Sequence, residues 1–251
     1  MLSAHERSEV RTLQHVDPMY DIAYGLRTAI QEAVFGGMVR SRIFCSSCGA
    51  VSDHLTSCNS VVLSVPRDSN DRSYTLRELW EDNFSETLAD RNGVCPRHGI
   101  GCASLARKQM FLEKEPPFLM IQLSRGWETW RRRDNQMVRV ARGKNCARVY
   151  FPQSLDFMRS GGYDFKGVVR HIGNTPDCGH YVATCSVGET RHGVEGFGTV
   201  GDNATVGVGD WNALTRDAVQ REAYLLLYAR RDSASSVAQD GSDEVPYMRA
   251  D

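Results

Sequence analysis

Cys45-x-x-Cys48 is followed at once by Gly49, and after a gap of 46 residues come Cys95-Pro96-Arg97-His98 and then Cys102. No other feature constrains the fold as much. Two thiolates on one tight turn grip a single zinc ion, and the glycine relieves the turn. The ion needs two more ligands. Cys95 supplies one, and either His98 or Cys102 supplies the other; the spacing leaves that choice open. The gap is too long for a small zinc finger and suits two hairpins drawn together by one structural ion. Such a site adds folding free energy where the apolar core is thin. The competing reading is a set of free, partly buried thiols. Cys58, Cys146 and Cys185 have no paired spacing and read as core residues.

The rest of the composition narrows the partners. With 30 Lys+Arg against 31 Asp+Glu the net charge is −1, without the basic excess of a general nucleic-acid binder. Arg131-Arg132-Arg133, beside Trp127 and Trp130, reads as a solvated face, and no nucleic-acid partner is expected. The apolar runs at 118–121 and 224–228 are far too short to span a membrane, so no membrane partner is expected. The first residues are polar and lack the apolar stretch of a signal peptide. The expected location is therefore cytoplasmic, nuclear or both, where eight cysteines do not form a disulfide framework. A hydrophobic share of 41% allows a sizeable core.

Patterning predicts an α+β chain. Met19, Ile22, Ala23, Leu26, Ile30 and Val34 have helical spacing, stopped by Phe35-Gly36-Gly37. Residues 38–44 and 60–65 read as strands, the second ended by Pro66. Leu76, Leu79, Trp80, Phe84 and Leu88 suggest one or two short helices. Strands are then predicted at 118–123, 137–141, 147–151, 163–172, 179–187 and 222–230, with a short helix over 211–220. Residues 127–136 read as a polar connection, 188–209 as a flexible Gly-rich loop, and 232–251 as a disordered acidic tail.

Near the end of this series, Tyr163-Asp-Phe-Lys-Gly167-Val168-Val169-Arg-His171-Ile-Gly173 is followed by Gly179-His180-Tyr181-Val182-Ala183. A strand starting at Gly-His-Tyr holds one imidazole at a backbone position fixed by sheet pairing, which suits a general base. His180 is a better candidate than His171. This segment resembles the histidine box of the ubiquitin-specific proteases, thiol deubiquitinases with a papain-like active site. Other family features follow in order. They include Phe35-Gly36-Gly37 before the first knuckle, the 76–88 stretch, Ala106-x-Lys108, Pro117, and Leu123-Ser124-Arg125 ending a strand. Phe151-Pro152-x-x-Leu155-Asp156 and the closing Ala223-Tyr224-Leu225-Leu226-Leu227-Tyr228 complete the series. The resemblance spans 35–231. It implies an antiparallel β palm (about 106–231) and zinc-knuckle fingers (about 38–105), with ubiquitin or ubiquitinated proteins as partners and hydrolysis of ubiquitin isopeptide bonds as the family activity.

The resemblance also suggests a triad acid. Trp211 would point to Asp217, but that acid falls too close to the closing strand. Phe197 keeps an aromatic five residues before Asp202, so Asp202 is favoured as the group that accepts the imidazole N–H. Gly201 stands where the family has asparagine. The family's cysteine box has no counterpart here, and residues 1–34 read as a remnant of the thumb, which is otherwise largely absent. Gly173-Asn174-Thr175-Pro176-Asp177-Cys178 echoes that box faintly but lies inside the histidine segment, so Cys178 reads as a loop cysteine. No nucleophile is assigned. The chain alone is expected to be inactive, with an inactive ubiquitin-binding module or a fragment of a longer deubiquitinase as the alternatives. An exposed apolar patch is expected where the thumb would pack.

Overall fold

The computed structural model describes residues 28–67, 72–88, 95, 97, 106–133, 136–159, 161–176, 178–189, 195–201 and 204–231. Residues 28–35 are helical and stop at Gly36, as the sequence predicts. Any side chain at Gly36 would strike the carbonyl of Glu32.

Strand β1 (Gly37–Cys45) turns through the first knuckle into β2 (Val51–Cys58). β6 (Ala106–Lys114) lies on the other side of β1, and β5 (Ser85–Leu88) lies beyond it, giving the order β2-β1-β6-β5. This sheet takes strands from both sides of residue 105. It has little core of its own, and β2 is exposed along most of its length. Charge pairs link its strands instead. Arg42 donates to both Asp53 oxygens at 2.7 and 2.8 Å, and Arg40 pairs with Glu113 at 2.9 Å. The hydrogen bond from Arg42 holds the Asp53 carboxyl below its usual range. Exposed pairs of this kind contribute little each, so the sheet needs another constraint.

The larger sheet runs β15 (Ala204–Gly209), β14 (Glu195–Gly201), β13 (Cys178–Glu189), β12 (Tyr163–Thr175), β16 (Ala223–Arg230), β7 (Phe118–Ser124), β3 (Val61–Ser64). Only β3 with β7 is parallel; a short β11 (Ser154–Leu155) pairs with the start of β12. One face packs against the helix Leu76–Phe84, the segments around Val149 and Phe151, and the helices Trp211–Leu214 and Asp217–Glu222. Phe165 lies at its centre, with the rings of Phe151, Phe197, Trp211 and Tyr228 all within 6 Å of it. Burying one such side chain is worth about 1.5–3 kcal/mol, so this sheet carries most of the stability.

Two further pairs complete the fold. β4 (Ser73–Thr75) runs parallel to β10 (Arg148–Tyr150), and β8 (Gly126–Arg133) with β9 (Gln136–Lys144) forms a separate ribbon. The segment 127–136, read as a polar connection, is therefore mostly strand. The stretch 188–209, read as a loop, holds β14 and β15. Its glycines hide the alternation, yet Phe197 is 2% exposed in the core and Thr199 bonds Thr184 across the strands at 2.9 Å. The tail 232–251 and most of the expected thumb remnant lie outside the described residues.

Arg125, immediately after β7, is the main buried charge, at 3% exposed. Its guanidinium donates to the carbonyls of Ala223 (2.7 Å), Gln220 (2.8 Å), Ala147 (2.7 Å) and Asn145 (3.2 Å). Two of these lie at the end of the helix Asp217–Glu222, where carbonyls lack helical partners and the dipole favours a cation. Burial lowers the Arg125 pKa to about 10, which still leaves it charged at neutral pH.

Candidate functional site

The first knuckle is built by its backbone. Cys45 N–H donates to the Ala50 carbonyl and Gly49 N–H returns to the Cys45 carbonyl at 3.0 Å, with Gly49 at φ +68°. That left-handed conformation is why glycine follows the second cysteine. The turn brings Cys45 and Cys48 to Cys95, and the three sulfur atoms lie within 4.8 Å of one another. Cys48 Sγ and Cys95 Sγ are 3.6 Å apart. This is far beyond a disulfide and close to the edge of a tetrahedron with zinc–sulfur bonds of about 2.3 Å, an edge of about 3.8 Å. At Cys48 the Ala50 amide favours the thiolate, but burial and the neighbouring sulfurs outweigh it and raise the thiol above its ordinary value. Three thiolates at this distance repel one another unless a cation joins them. The cluster therefore fits a metal with Cys45, Cys48 and Cys95 as ligands. His98 and Cys102, the two candidates for the fourth place, lie outside the described residues.

The second site is the β12–β13 hairpin. Its register pairs His171 with Tyr181 and Ile172 with His180, so the two histidines point to opposite faces. His171 is buried at 5% exposed, with its ring centroid 4.8 Å from that of Tyr181. Burial, and then the charge of Lys144, depress its pKa below 6.5, so this ring is neutral at pH 7. It is a packing group. Gly179 explains the arrangement: a Cβ there would lie 2.4 Å from His171 Nε2 and 2.5 Å from the Ile172 carbonyl. Opposite it, a Cβ on Gly173 would lie 2.4 Å from the Cys178 carbonyl. Two glycines thus let the hairpin close over His171. That closure sets His180, the next residue after Gly179, on an exposed strand position. Lys144 Nζ ties the same hairpin down through the Gly173 carbonyl at 2.9 Å.

Asp202 lies outside the described residues, between β14 and β15. The described β13–β14 pairing ends at Ala183 with Val200, three residues from His180 and two from Asp202. Asp217, the rejected alternative, lies in the last helix and bonds Arg221 and Arg148. Cys178 is not a loop residue; it pairs with Thr175 at the start of β13, exposed. Cys185, read from sequence as core, is also exposed, while Cys58 and Cys146 are half-buried. No described cysteine begins a described helix, the position that lowers a thiol pKa.

Sequence reasoning did not identify a cleft of about 240 Å³ beside this hairpin, lined by Gln122, Ser124, Lys144, His171, Tyr181 and Tyr224 among others. Gln122 Nε2 donates to Tyr224 Oη at 3.1 Å. Tyr181 and Tyr224 are legible in the Gly-His-Tyr and Ala-Tyr-Leu motifs, but their convergence depends on strand order.

The family model for ubiquitin carboxyl-terminal hydrolase matches residues 24–228. Ubiquitin carboxyl-terminal hydrolase 36 of Drosophila erecta is 31% identical over 166 residues, covering 64% of this chain and 14% of that protein. Ubiquitin carboxyl-terminal hydrolase 25 of Arabidopsis thaliana is 26% identical over 164 residues, covering 62% of this chain and 22% of that protein. The chain thus spans a small part of these relatives. Among solved structures, a chain of the SAGA DUB module of Ubp8, Sgf11, Sus1 and Sgf73 bound to monoubiquitin matches with a TM-score of 0.59 at 24% identity. The match covers 81% of this chain and 42% of that one. A yeast SAGA DUB module carrying an Sgf73 mutant matches with a TM-score of 0.60 at 23% identity, covering 92% and 46%. The fold is that of these modules.

Proposed function

As the chain belongs to the ubiquitin carboxyl-terminal hydrolase family, we propose that it is a fingers-and-palm domain that holds ubiquitin and presents His180 to the isopeptide bond. The observation that carries this reading is the closed β12–β13 hairpin, in which Gly179 seats the buried His171 and leaves His180 on an exposed strand position. In a thiol deubiquitinase that imidazole takes the proton of the nucleophile and returns it to the leaving amine. Asp202 is the proposed acceptor of the other imidazole N–H. Binding of monoubiquitin by a solved module of the same fold supports ubiquitin as the partner.

Zinc is the proposed cofactor, held by Cys45, Cys48, Cys95 and either His98 or Cys102; it braces the fingers and takes no part in the reaction. Thiols kept reduced in the cytosol or nucleus suit such a site. Among the described residues no helix is long and apolar enough to cross a membrane.

Hydrolysis by this polypeptide alone is not expected. Three described thiols make the candidate metal cluster, Cys178 and Cys185 share the strand of His180, and Cys58 and Cys146 are half-buried. The test is a ubiquitin carrying a C-terminal thiol-reactive group, beside a fluorogenic ubiquitin hydrolysis assay, on the zinc-loaded chain. Neither labelling nor turnover is expected. Labelling that disappears in Cys178→Ala, together with turnover, would overturn the inactive reading and place the nucleophile on β13.

A further inference from the structure

Among the described residues β8 and β9 pair only with each other. The ribbon is held at its root. Arg67 lies over the Trp127 ring at 3.8 Å and donates to Thr129 Oγ1 at 3.1 Å, and Lys144 at the far end of β9 bonds the Gly173 carbonyl. Beyond the root the ribbon stands in solvent, and Trp130, Met137, Val138 and Val140 are between 42% and 62% exposed. A ribbon serving only as a connection has no need of four exposed large apolar side chains.

Its charge is equally unbalanced. Residues 126–144 carry six basic side chains against Glu128 and Asp134, in a chain whose net charge is −1. The register places Trp130 opposite Arg139 and Arg132 opposite Met137, which puts all four on one face. Glu128 accepts from Trp130 Nε1 at 3.1 Å and from Arg139 at 2.8 Å, fixing the indole beside the guanidinium. The outer edge of each strand adjoins no third strand among the described residues, so it offers a row of backbone donors and acceptors.

We propose that the β8–β9 ribbon docks an extended acidic segment of a protein partner as a third strand. Main-chain hydrogen bonds to the open edge supply the strand pairing. Acidic side chains of the segment meet Arg131 and Arg133 on one face, and the alternate apolar side chains cover Trp130 and Met137 on the other. A peptide fits better than a nucleic acid: the edge pairs with a backbone that has both donors and acceptors, and Met137, Val138 and Val140 have no counterpart on a phosphate chain. The ribbon root contacts the turn of the β12–β13 hairpin, since Gly126 faces Pro176 and Lys144 bonds Gly173. The proposal stands whether or not the chain binds ubiquitin.

The test is fluorescence anisotropy of the full chain with a labelled short peptide alternating glutamate and valine. The comparison probes are the lysine–valine counterpart and a single-stranded RNA of similar length. The glutamate–valine peptide is expected to bind, to weaken as salt rises, and to weaken by about tenfold in the Arg131→Glu/Arg132→Glu/Arg133→Glu variant. Trp130→Ser, which leaves the charges in place, is expected to weaken it less. Melting curves matching the parent verify that both variants fold. No binding, equal binding of the lysine–valine peptide, or tighter binding of RNA than of the glutamate–valine peptide would each overturn the proposal. In the first case the arginines serve only to keep an open edge from pairing with itself.

Discussion

Gly179 is the residue on which the histidine site depends most. A Cβ there collides with the ring of His171 and the Ile172 carbonyl, neither of which yields cheaply inside a closed hairpin. Gly179→Ala is expected to cost about 1–3 kcal/mol, the range for overpacking, and to shift the His180 resonances in an NMR spectrum; an unchanged melt and spectrum would contradict the packing described. Arg125 is a second test. Replacing it with Met leaves four carbonyls without their donor. At about 1–3 kcal/mol for each buried group left unsatisfied, Arg125→Met is expected to give little folded protein. Arg125→Lys keeps the charge but not the planar fork and falls between, as denaturant melts check. His171 makes a pH prediction. Its folded pKa is depressed below the ordinary 6.5, so the unfolded state binds its proton first and stability rises with pH. The contribution is complete above 6.5 and is lost as pH falls through the folded value. His171→Gln is expected to flatten that part of the stability–pH curve.

At the scale of elements, the proposed zinc at Cys45, Cys48 and Cys95 is what would brace the four-stranded sheet. β2 is largely exposed and the links between strands are surface ion pairs. Chelation, or Cys48→Ser, is therefore expected to lower the Tm by roughly 5 °C or more, with about one zinc per chain by elemental analysis. A chain that binds no zinc and melts identically in chelator would contradict the assignment. The knuckle and the histidine hairpin were legible in the sequence because each rests on short-range chemistry: a thiol spacing with a glycine, and a Gly-His-Tyr at a strand start. The strands around them were less so. β2 has no inside, so it shows no alternation. β14 and β15 are rich in glycine, β14 pairs with β13, and Phe197 is the large buried side chain that marks β14. β8 reads as a loop because its arginines face solvent on both sides. The cleft between Tyr181 and Tyr224 follows from strand order, which no local pattern encodes.

For the whole molecule, the described residues account for the fold. The large sheet and the β12–β13 hairpin that carries His180 assemble among the described residues, and no described cysteine begins a described helix. Half-exposed and exposed apolar side chains, among them Val62, Phe118 and Val200, lie on the palm away from its packed face. Val200 on β14 and Val62 on β3 lie toward opposite ends of the sheet order, so these side chains do not make one continuous patch. Whether this sheet holds ubiquitin decides the proposed function. The deciding measurement is a calorimetric titration of ubiquitin into the folded, zinc-loaded chain, repeated with a ubiquitin lacking its C-terminal residues. Saturable one-to-one binding that weakens when the tail is removed is the predicted result. No heat of binding from a chain that melts cooperatively with zinc in place would contradict the central claim.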